Sequence, residues 1–138
     1  MRLVGGLACL PALGAGAACS VSTTGMAFGS YDPLSAVALD SAATVTVACD
    51  VLAVYAVASS SGGGGFQDRQ MSAPGQLLHY NLYVDLTRLI VWGDGSLGTA
   101  RLPGTNVLGR HTVYGRIPAR QNVGGGVYSD NITVTVTY

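Results

Sequence analysis

The chain ends on Asp130-Asn-Ile-Thr-Val-Thr-Val-Thr-Tyr138, in which polar and apolar residues alternate to the last position. Strict alternation is the period of a β-strand with one buried face, and β-branched residues favour strands. A strand at a sheet edge presents unpaired backbone groups to other chains unless something covers it. We therefore expect either a covered edge or a place where a partner strand docks. The apolar face of this strand consists of Ile132, Val134, Val136 and Tyr138.

The composition indicates a single all-β domain. A length of 138 residues suits one ordinary domain and is short for two. The seven basic residues are all Arg and the seven acidic residues are all Asp, so the helix-favouring Lys and Glu are absent. The formal net charge of zero gives no electrostatic footprint for nucleic acid and no polybasic patch for a membrane surface.

Residues 1–18 are predicted to be a signal peptide, leaving residues 19–138 as the mature domain. Arg2 supplies a small positive region, and residues 3–13 form a short apolar stretch. Ala15-Gly16-Ala17 then provides the small residues that signal peptidase recognises, with cleavage after residue 17 or 18. The apolar stretch is too short to span a bilayer, so no membrane insertion is expected once the segment is removed.

Cysteine usage agrees with export. With Cys9 in the removed segment, Cys19 and Cys49 remain as an even pair in an oxidising compartment. A bridge between them would close a loop of about 30 residues, which the chain-entropy model values at about 3.5 kcal/mol. Two free thiols, or a metal site completed by His79 and His111, are the alternatives, although neither histidine shows ligand spacing. A lipoprotein signal is a further alternative, because Cys19 directly follows the small residues of the cleavage site.

Short alternating segments separated by Gly, Pro, Ser and Asp clusters predict an antiparallel immunoglobulin-like β-sandwich. Residues 19–28 are expected to be the first strand, with a kink at Gly25. The glycine-rich residues 59–65 lack the Gly-Lys-Ser/Thr of a phosphate-binding loop and are taken as a connection. The other strand candidates are residues 43–49, a more buried run 52–58, residues 70–71, 77–85, 89–92, 111–117 and the final strand.

Several short motifs follow one another in order across the predicted mature chain. They are Ala18-Cys-Ser-Val21, Met26-Ala-Phe-Gly-Ser-Tyr-Asp-Pro33, Val45-Thr-Val-Ala-Cys49, Arg69-Gln-Met71, Tyr80-Asn-Leu-Tyr-Val-Asp85, Val91-Trp-Gly-Asp-Gly95, Val113-Tyr-Gly-Arg-Ile-Pro118, Gln121 and Gly126-Val-Tyr-Ser-Asp130. Each motif alone is weak, but the ordered set resembles the spore coat protein U domain family, which is shared with subunits of archaic chaperone–usher pili.

The resemblance implies an incomplete immunoglobulin-like sandwich that lacks its final strand. Family members fill the resulting groove with a strand from a chaperone and then with a strand from the next subunit. The expected partners are therefore a periplasmic chaperone, an usher and other pilus or coat subunits, first in the periplasm and then at the cell surface. The family's disulfide maps onto Cys19 and Cys49. The residues expected to border the groove are Val21, Met26, Phe28, Ile132, Val134, Val136 and Tyr138.

The chain departs from the family pattern in two places. Pilus shaft subunits carry a donor segment before the first Cys, whereas the predicted cleavage leaves almost nothing ahead of Cys19. This favours a terminal, acceptor-only subunit or a coat protein over a repeating shaft subunit. The second departure is Arg120, at a turn position where a small residue is expected. A tip adhesin or other extracellular binding module is the alternative function, and a contiguous exposed apolar patch would distinguish it.

No catalytic or cofactor-binding motif is recognisable, so neither an enzyme nor a cofactor is expected. Ser, Asp and His occur outside settings such as Gly-x-Ser-x-Gly. His79 is expected on the polar side of its strand, and His111 at the start of another. Turn and surface roles are expected for Asp85, Arg88 and Asp94. Structural roles are expected for Trp92, Tyr80, Tyr83, Tyr114 and Tyr128, the last as a corner tyrosine.

Overall fold

The computed structural model describes the backbone of residues 2–10 and both backbone and side chains of residues 18–138. Over these residues the chain is all-β, with no helix and therefore none that is long and apolar enough to cross a membrane. The strands in the described part are β1 Arg2–Leu10, β2 Cys19–Thr23, β3 Met26–Ala27, β4 Leu39–Ser59, β5 Gly64–Gly65, β6 Asp68–Ala73, β7 Gln76–Tyr83, β8 Leu102–Ile117 and β9 Ser129–Thr137.

The two long strands, β4 and β8, connect the two layers of an immunoglobulin-like sandwich. They pair antiparallel along most of their length, with a register shift between Ala48 and Ala53 of β4. A bulge of this kind bends a strand and increases its twist. Before the bend β4 also pairs with β2, and after it β4 pairs with β9. The sheet continues from β8 to β7 and β6.

The strand β9 has a different neighbour on each side. On one side it pairs antiparallel with the end of β4, from Ala56↔Thr137 to Ser59↔Val134. On the other side it pairs in parallel with β1 over nine positions, from Arg2↔Ser129 to Leu10↔Thr137. The opposite edge of β1 meets β3. Residues 2–10 therefore close the gap between the last strand and the region just after β2.

The sequence predicts a signal peptide ahead of Cys19 and a groove without an occupant in residues 19–138, and it predicts no strand in residues 2–10. In the full-length chain residues 2–10 form β1, which lies in that groove. The reason for the difference is visible in the composition of the segment. Apolar stretches of leader peptides carry the same Leu, Val and Ala content that suits a strand paired on both edges, so composition alone does not distinguish the two.

The predicted alternation of β9 is confirmed. Ile132, Val134 and Val136 are each at most 2% exposed, while the alternating Asn131 and Thr133 are exposed. The kink in the first strand is also confirmed. Gly25 has a φ of +72°, which separates β2 from β3 and which a residue with a Cβ rarely adopts. The all-β prediction therefore holds at both ends of residues 19–138.

Three strand predictions are wrong in detail. The run 52–58 is not wholly buried, because it is the second half of β4 and alternates: Leu52 is 67% and Val54 74% exposed. Residues 89–92 form no strand but only isolated bridges at Val91 and Trp92. β8 begins at Leu102 rather than at His111, which consequently lies in the middle of a strand.

Two glycines explain why the first half of β8 was missed. Gly104 and Gly109 suggest turns in the sequence, yet both lie within the strand beneath the Tyr55 ring. A Cβ at either position would come within 2.2 Å of a Tyr55 ring atom or hydroxyl. Glycine is needed here for close approach of the aromatic ring, not for a reversal of the chain.

Candidate strand-docking groove

The groove is the gap between β9 and β3 that β1 occupies in the whole chain. Its floor includes a small apolar cavity between the layers. The cavity brings together three of the predicted groove residues, namely Met26, Ile132 and Val134. It is also lined by residues from the facing layer that the sequence did not single out for the groove: Val45, Leu82, Trp92 and Val113.

The remaining predicted groove residues lie around this centre. Val21 is buried in β2, where its register partner is Val47 of β4. Phe28 is buried and meets the ring of Tyr80 edge to face, with ring centroids 6.4 Å apart. Val136 is fully buried in β9, and Tyr138 is half-buried against the core. None of these four residues lines the cavity.

The disulfide links β4 to β2, the strand that leads into β3 at the side of the groove. Cys19 of β2 and Cys49 of β4 are direct register partners, and their sulfur atoms are bonded. The neighbouring residues continue the ladder, because the Asp50 amide donates to Ala18 O at 3.0 Å and the Ala18 amide donates to Asp50 Oδ1 at 2.8 Å. Lipid attachment at Cys19 would require the sulfur that this bond uses.

A buried guanidinium holds the end of β4 that pairs with β9. Arg69 of β6 is fully buried and donates to Asn81 Oδ1 at 2.6 Å, to Ser59 Oγ at 2.8 Å and to the carbonyls of Ser60 and Trp92. Burial lowers the pKa of Arg69 to about 10, opposed by the nearby Tyr80 and Asp130. The sequence signal was available, since alternation places Arg69 on the same inward face as Met71.

A second polar cluster anchors the start of β9. The Tyr80 hydroxyl donates to Asp130 Oδ2 at 2.5 Å, and the Gly63 amide donates to the same carboxylate at 3.0 Å. Burial and this hydrogen bond together raise the pKa of Tyr80. Asp130 therefore ties the start of β9 to β7 and to the loop that follows β4.

Tyrosine hydroxyls fix the loop that leads into β9. Tyr128 is buried, and its hydroxyl donates to Gly124 O at 2.6 Å, as a corner tyrosine does. The Tyr31 hydroxyl donates to Pro118 O and accepts from the Gln121 amide, both at 3.0 Å. Between these anchors Arg120 has a φ of +58°, which explains why a small residue is expected at its position.

Asp85, Asp94 and His79 make contacts on the surface of the described part of the chain. Asp85 and Asp94 each accept hydrogen bonds from their own loops, which lower the pKa of both carboxyls, with side-chain bonds from Thr87 and Ser96 as the largest causes. His79 is exposed and lies 2.5 Å from Asp68. No group of three or more His, Cys, Asp or Glu residues in the described part of the chain is arranged to hold a metal ion.

His111 belongs to a small polar cluster at the bend of the sandwich. Its Nε2 lies 2.7 Å from the Tyr55 hydroxyl, which also donates to Asn106 Oδ1 at 2.6 Å. Partial burial lowers the pKa of His111. All three side chains are occupied in holding β4 to β8, and this arrangement offers no acid, base and nucleophile in series.

The sequence is similar to a known family and to a curated protein. A family model described as the Spore Coat Protein U domain matches residues 10–135. The curated protein named Protein U, from Myxococcus xanthus, is 32% identical over 141 residues, which cover 89% of this chain and 79% of that protein.

A solved structure shares the fold. It is a chain of the chaperone–tip adhesion subunit pre-assembly complex from the archaic chaperone–usher Csu pili of Acinetobacter baumannii, with a TM-score of 0.64 and 19% sequence identity. The alignment covers 88% of this chain and 40% of the solved chain, so this chain spans less than half of that one.

Proposed function

The chain belongs to the Spore Coat Protein U domain family, and we propose on that basis that it is a non-enzymatic structural subunit of a pilus or coat. In this proposal a partner inserts a β-strand between β9 and β3, and the two proteins assemble through that strand. The partners are a periplasmic chaperone, an usher and other pilus or coat subunits. The protein passes through the periplasm and functions at the cell surface.

One observation carries the proposal. The family match begins at residue 10, whereas the strand that covers the free edge of β9 is Arg2–Leu10. The edge strand of the groove thus lies outside the family domain except for its last residue. The domain itself supplies the walls and the floor of the groove, and an outside segment supplies the strand that fills it.

We propose that residues 1–17 are removed on export, which leaves the groove open. The β1-facing edge of β9 would then be open over nine positions, with the backbone groups of about half of those residues unpaired, and an open edge of this length is a template for another strand. Ala18 pairs with Asp50 in both directions, so almost no chain remains ahead of Cys19 to serve as a donor. The mature subunit would therefore accept a strand without donating one from its N-terminus.

A tethered strand tests this function. The exported, processed protein is extended after Tyr138 by a flexible linker and eight residues of alternating apolar character. Such a strand buries about four apolar side chains, on the order of 8 kcal/mol at about 2 kcal/mol each, against a stability of about 5–15 kcal/mol for a domain of this size. We expect the melting temperature to rise by more than about 10 °C.

The control is the same extension with Asp at the four apolar positions, which should leave the melting temperature almost unchanged. If the processed protein without any extension is already a stable monomer and the apolar tether does not change its melting temperature, assembly by strand insertion is wrong for this chain.

A binding module remains a second candidate because the structure exposes apolar residues beside one another at the bend of β4 and β8. Val51 and Leu52 lie in the register shift, and Leu108 is the partner of Ala48. Val51, Leu52 and Leu108 are 54%, 67% and 53% exposed. Retention of the processed protein on an apolar resin, lost in the double variant Leu52→Ser and Leu108→Ser, would support a role in surface contact.

A further inference from the structure

The segment ahead of Cys19 pairs with the groove as a strand, not as an unrelated extension. Its backbone is in register with β9 over nine positions and touches β3 on the other side. Gly5, Leu7 and Cys9 are the register partners of Ile132, Val134 and Val136. These three partners are the buried, core-facing residues of β9. Residues 2–10 thus hold the position that the proposed function reserves for a partner strand.

We propose that residues 2–10 are a built-in occupant of the groove, so that the uncut chain is closed to partner strands and its processing creates the acceptor. The inference rests on the proposed function in one respect, namely that the groove accepts strands. It adds an ordering of events: the precursor completes its own sheet, and assembly becomes possible only after the segment leaves.

The physical basis is competition between a tethered and a free strand. Residues 11–18 connect β1 to β2, and a short connection holds the attached strand at an effective concentration in the millimolar range. A free strand at micromolar concentration therefore competes at a disadvantage on the order of 1,000-fold. The attached segment does not need high intrinsic affinity to exclude partners, because its proximity is sufficient.

The register provides a matched pair of variants. Leu7 is the register partner of the buried Val134, so Leu7→Asp introduces a charge at the register position of a core residue. Ala8 is the register partner of Thr135, which alternates onto the other face of β9, so Ala8→Asp introduces the same charge one register position away from the core residues. The two substitutions differ in face but not in charge, and only the first should expel the segment.

Binding of a free strand to the full-length, disulfide-bonded chain tests the inference. The probe is a fluorescent peptide of residues 2–10 carrying Cys9→Ser. We expect no binding at micromolar peptide by the wild-type chain or by Ala8→Asp, and binding at least about 100-fold tighter by Leu7→Asp. Equal binding by all three chains would overturn the inference, while leaving strand acceptance intact. Failure of the processed protein to bind the probe would instead overturn the proposed function, and the inference with it.

Hydrogen exchange of the wild-type chain gives an answer that does not depend on any variant folding. In the full-length protein the backbone amides of β9 should be protected along the β1 edge from Ser129 to Thr137 and along the β4 edge from Val134 to Thr137. In the exported, processed protein about half of the amides from Ser129 to Thr137 should lose protection by at least about 10-fold, because alternate amides of a strand point to opposite edges. The same protection in both forms would overturn the inference.

Discussion

The two edges of β9 are paired by segments of different kinds. The β4 edge belongs to the family domain and is held at Ser59 by a buried hydrogen-bond cluster, while the disulfide ties the same strand to β2 on the other side of its bend. The β1 edge is supplied by a segment outside the family match and is connected to the domain only through residues 11–18. On the proposed function, the β4 edge is the permanent neighbour of β9 and the β1 edge is the replaceable one.

Loss of the disulfide should produce the largest effect on the permanent side. Closing a loop of 30 residues is worth about 3.5 kcal/mol in the chain-entropy model, and the double variant Cys19→Ser and Cys49→Ser forfeits it. We expect the melting temperature of the processed protein to fall by about 15 °C, measured by circular dichroism at equal concentration. Thiol titration of denatured, unreduced wild-type protein should find no free sulfhydryl in the processed form.

The same double variant sharpens the comparison between the edges. In the full-length chain β1 completes the sheet, so the variant should remain folded at temperatures where the processed variant has unfolded. If the two forms of the variant melt together, β1 contributes no stability and the replaceable edge is not occupied in solution.

The substitution Arg69→Met should have an intermediate effect. It keeps the approximate length of the side chain but removes the Arg69 donors from Ser59 Oγ and Ser60 O. Asn81 Oδ1 and Trp92 O also lose Arg69 but keep the Leu82 amide and the Ser59 hydroxyl as donors. Each buried acceptor without a partner costs about 1–3 kcal/mol, offset by removal of a buried charge, so we expect a loss of about 2–3 kcal/mol in urea unfolding. Arg110 is exposed on β8, and Arg110→Met is the matched control with an expected change below about 0.5 kcal/mol.

Equal losses for the two arginine variants would show that the buried cluster does not hold the β4 edge. A loss confined to Arg69→Met, accompanied by faster hydrogen exchange at the β4 residues that pair with β9, would locate the effect at that edge.

The sequence predicted the permanent parts of the molecule better than the replaceable one. Alternation in the last strand, the kink at Gly25 and the corner role of Tyr128 follow from short-range rules that tertiary contacts here support. The first half of β8 was missed because Gly104 and Gly109 make room for the Tyr55 ring. This contact joins residues about 50 positions apart, so no local pattern shows it. Trp92 and Leu82 at the groove floor were predicted only as structural or strand residues, since no local pattern relates them to β9.

The replaceable edge was beyond sequence reasoning for a different reason. A leader segment and a strand paired on both edges have similar compositions, so residues 2–10 satisfied both descriptions at once. Only the register with β9 distinguishes them, and register is a property of the pair of strands rather than of either one.

The smallest expected effect concerns the junction between the two regions. If processing occurs after Ala17, the Ala18 nitrogen becomes an ammonium group within 2.8 Å of Asp50 Oδ1, at an exposed site. The substitution Asp50→Asn retains a hydrogen-bond acceptor and removes only the charge, so the loss should stay below about 1 kcal/mol and disappear at high salt. Intact mass of the exported protein first establishes which residue is its N-terminus. The full-length chain is the control, because there the Ala18 nitrogen is a neutral amide and Asp50→Asn should have almost no effect on its melting temperature. An equal loss in the two forms would mean that Asp50 acts only through the β2–β4 ladder, and that the new terminus adds nothing to the mature fold.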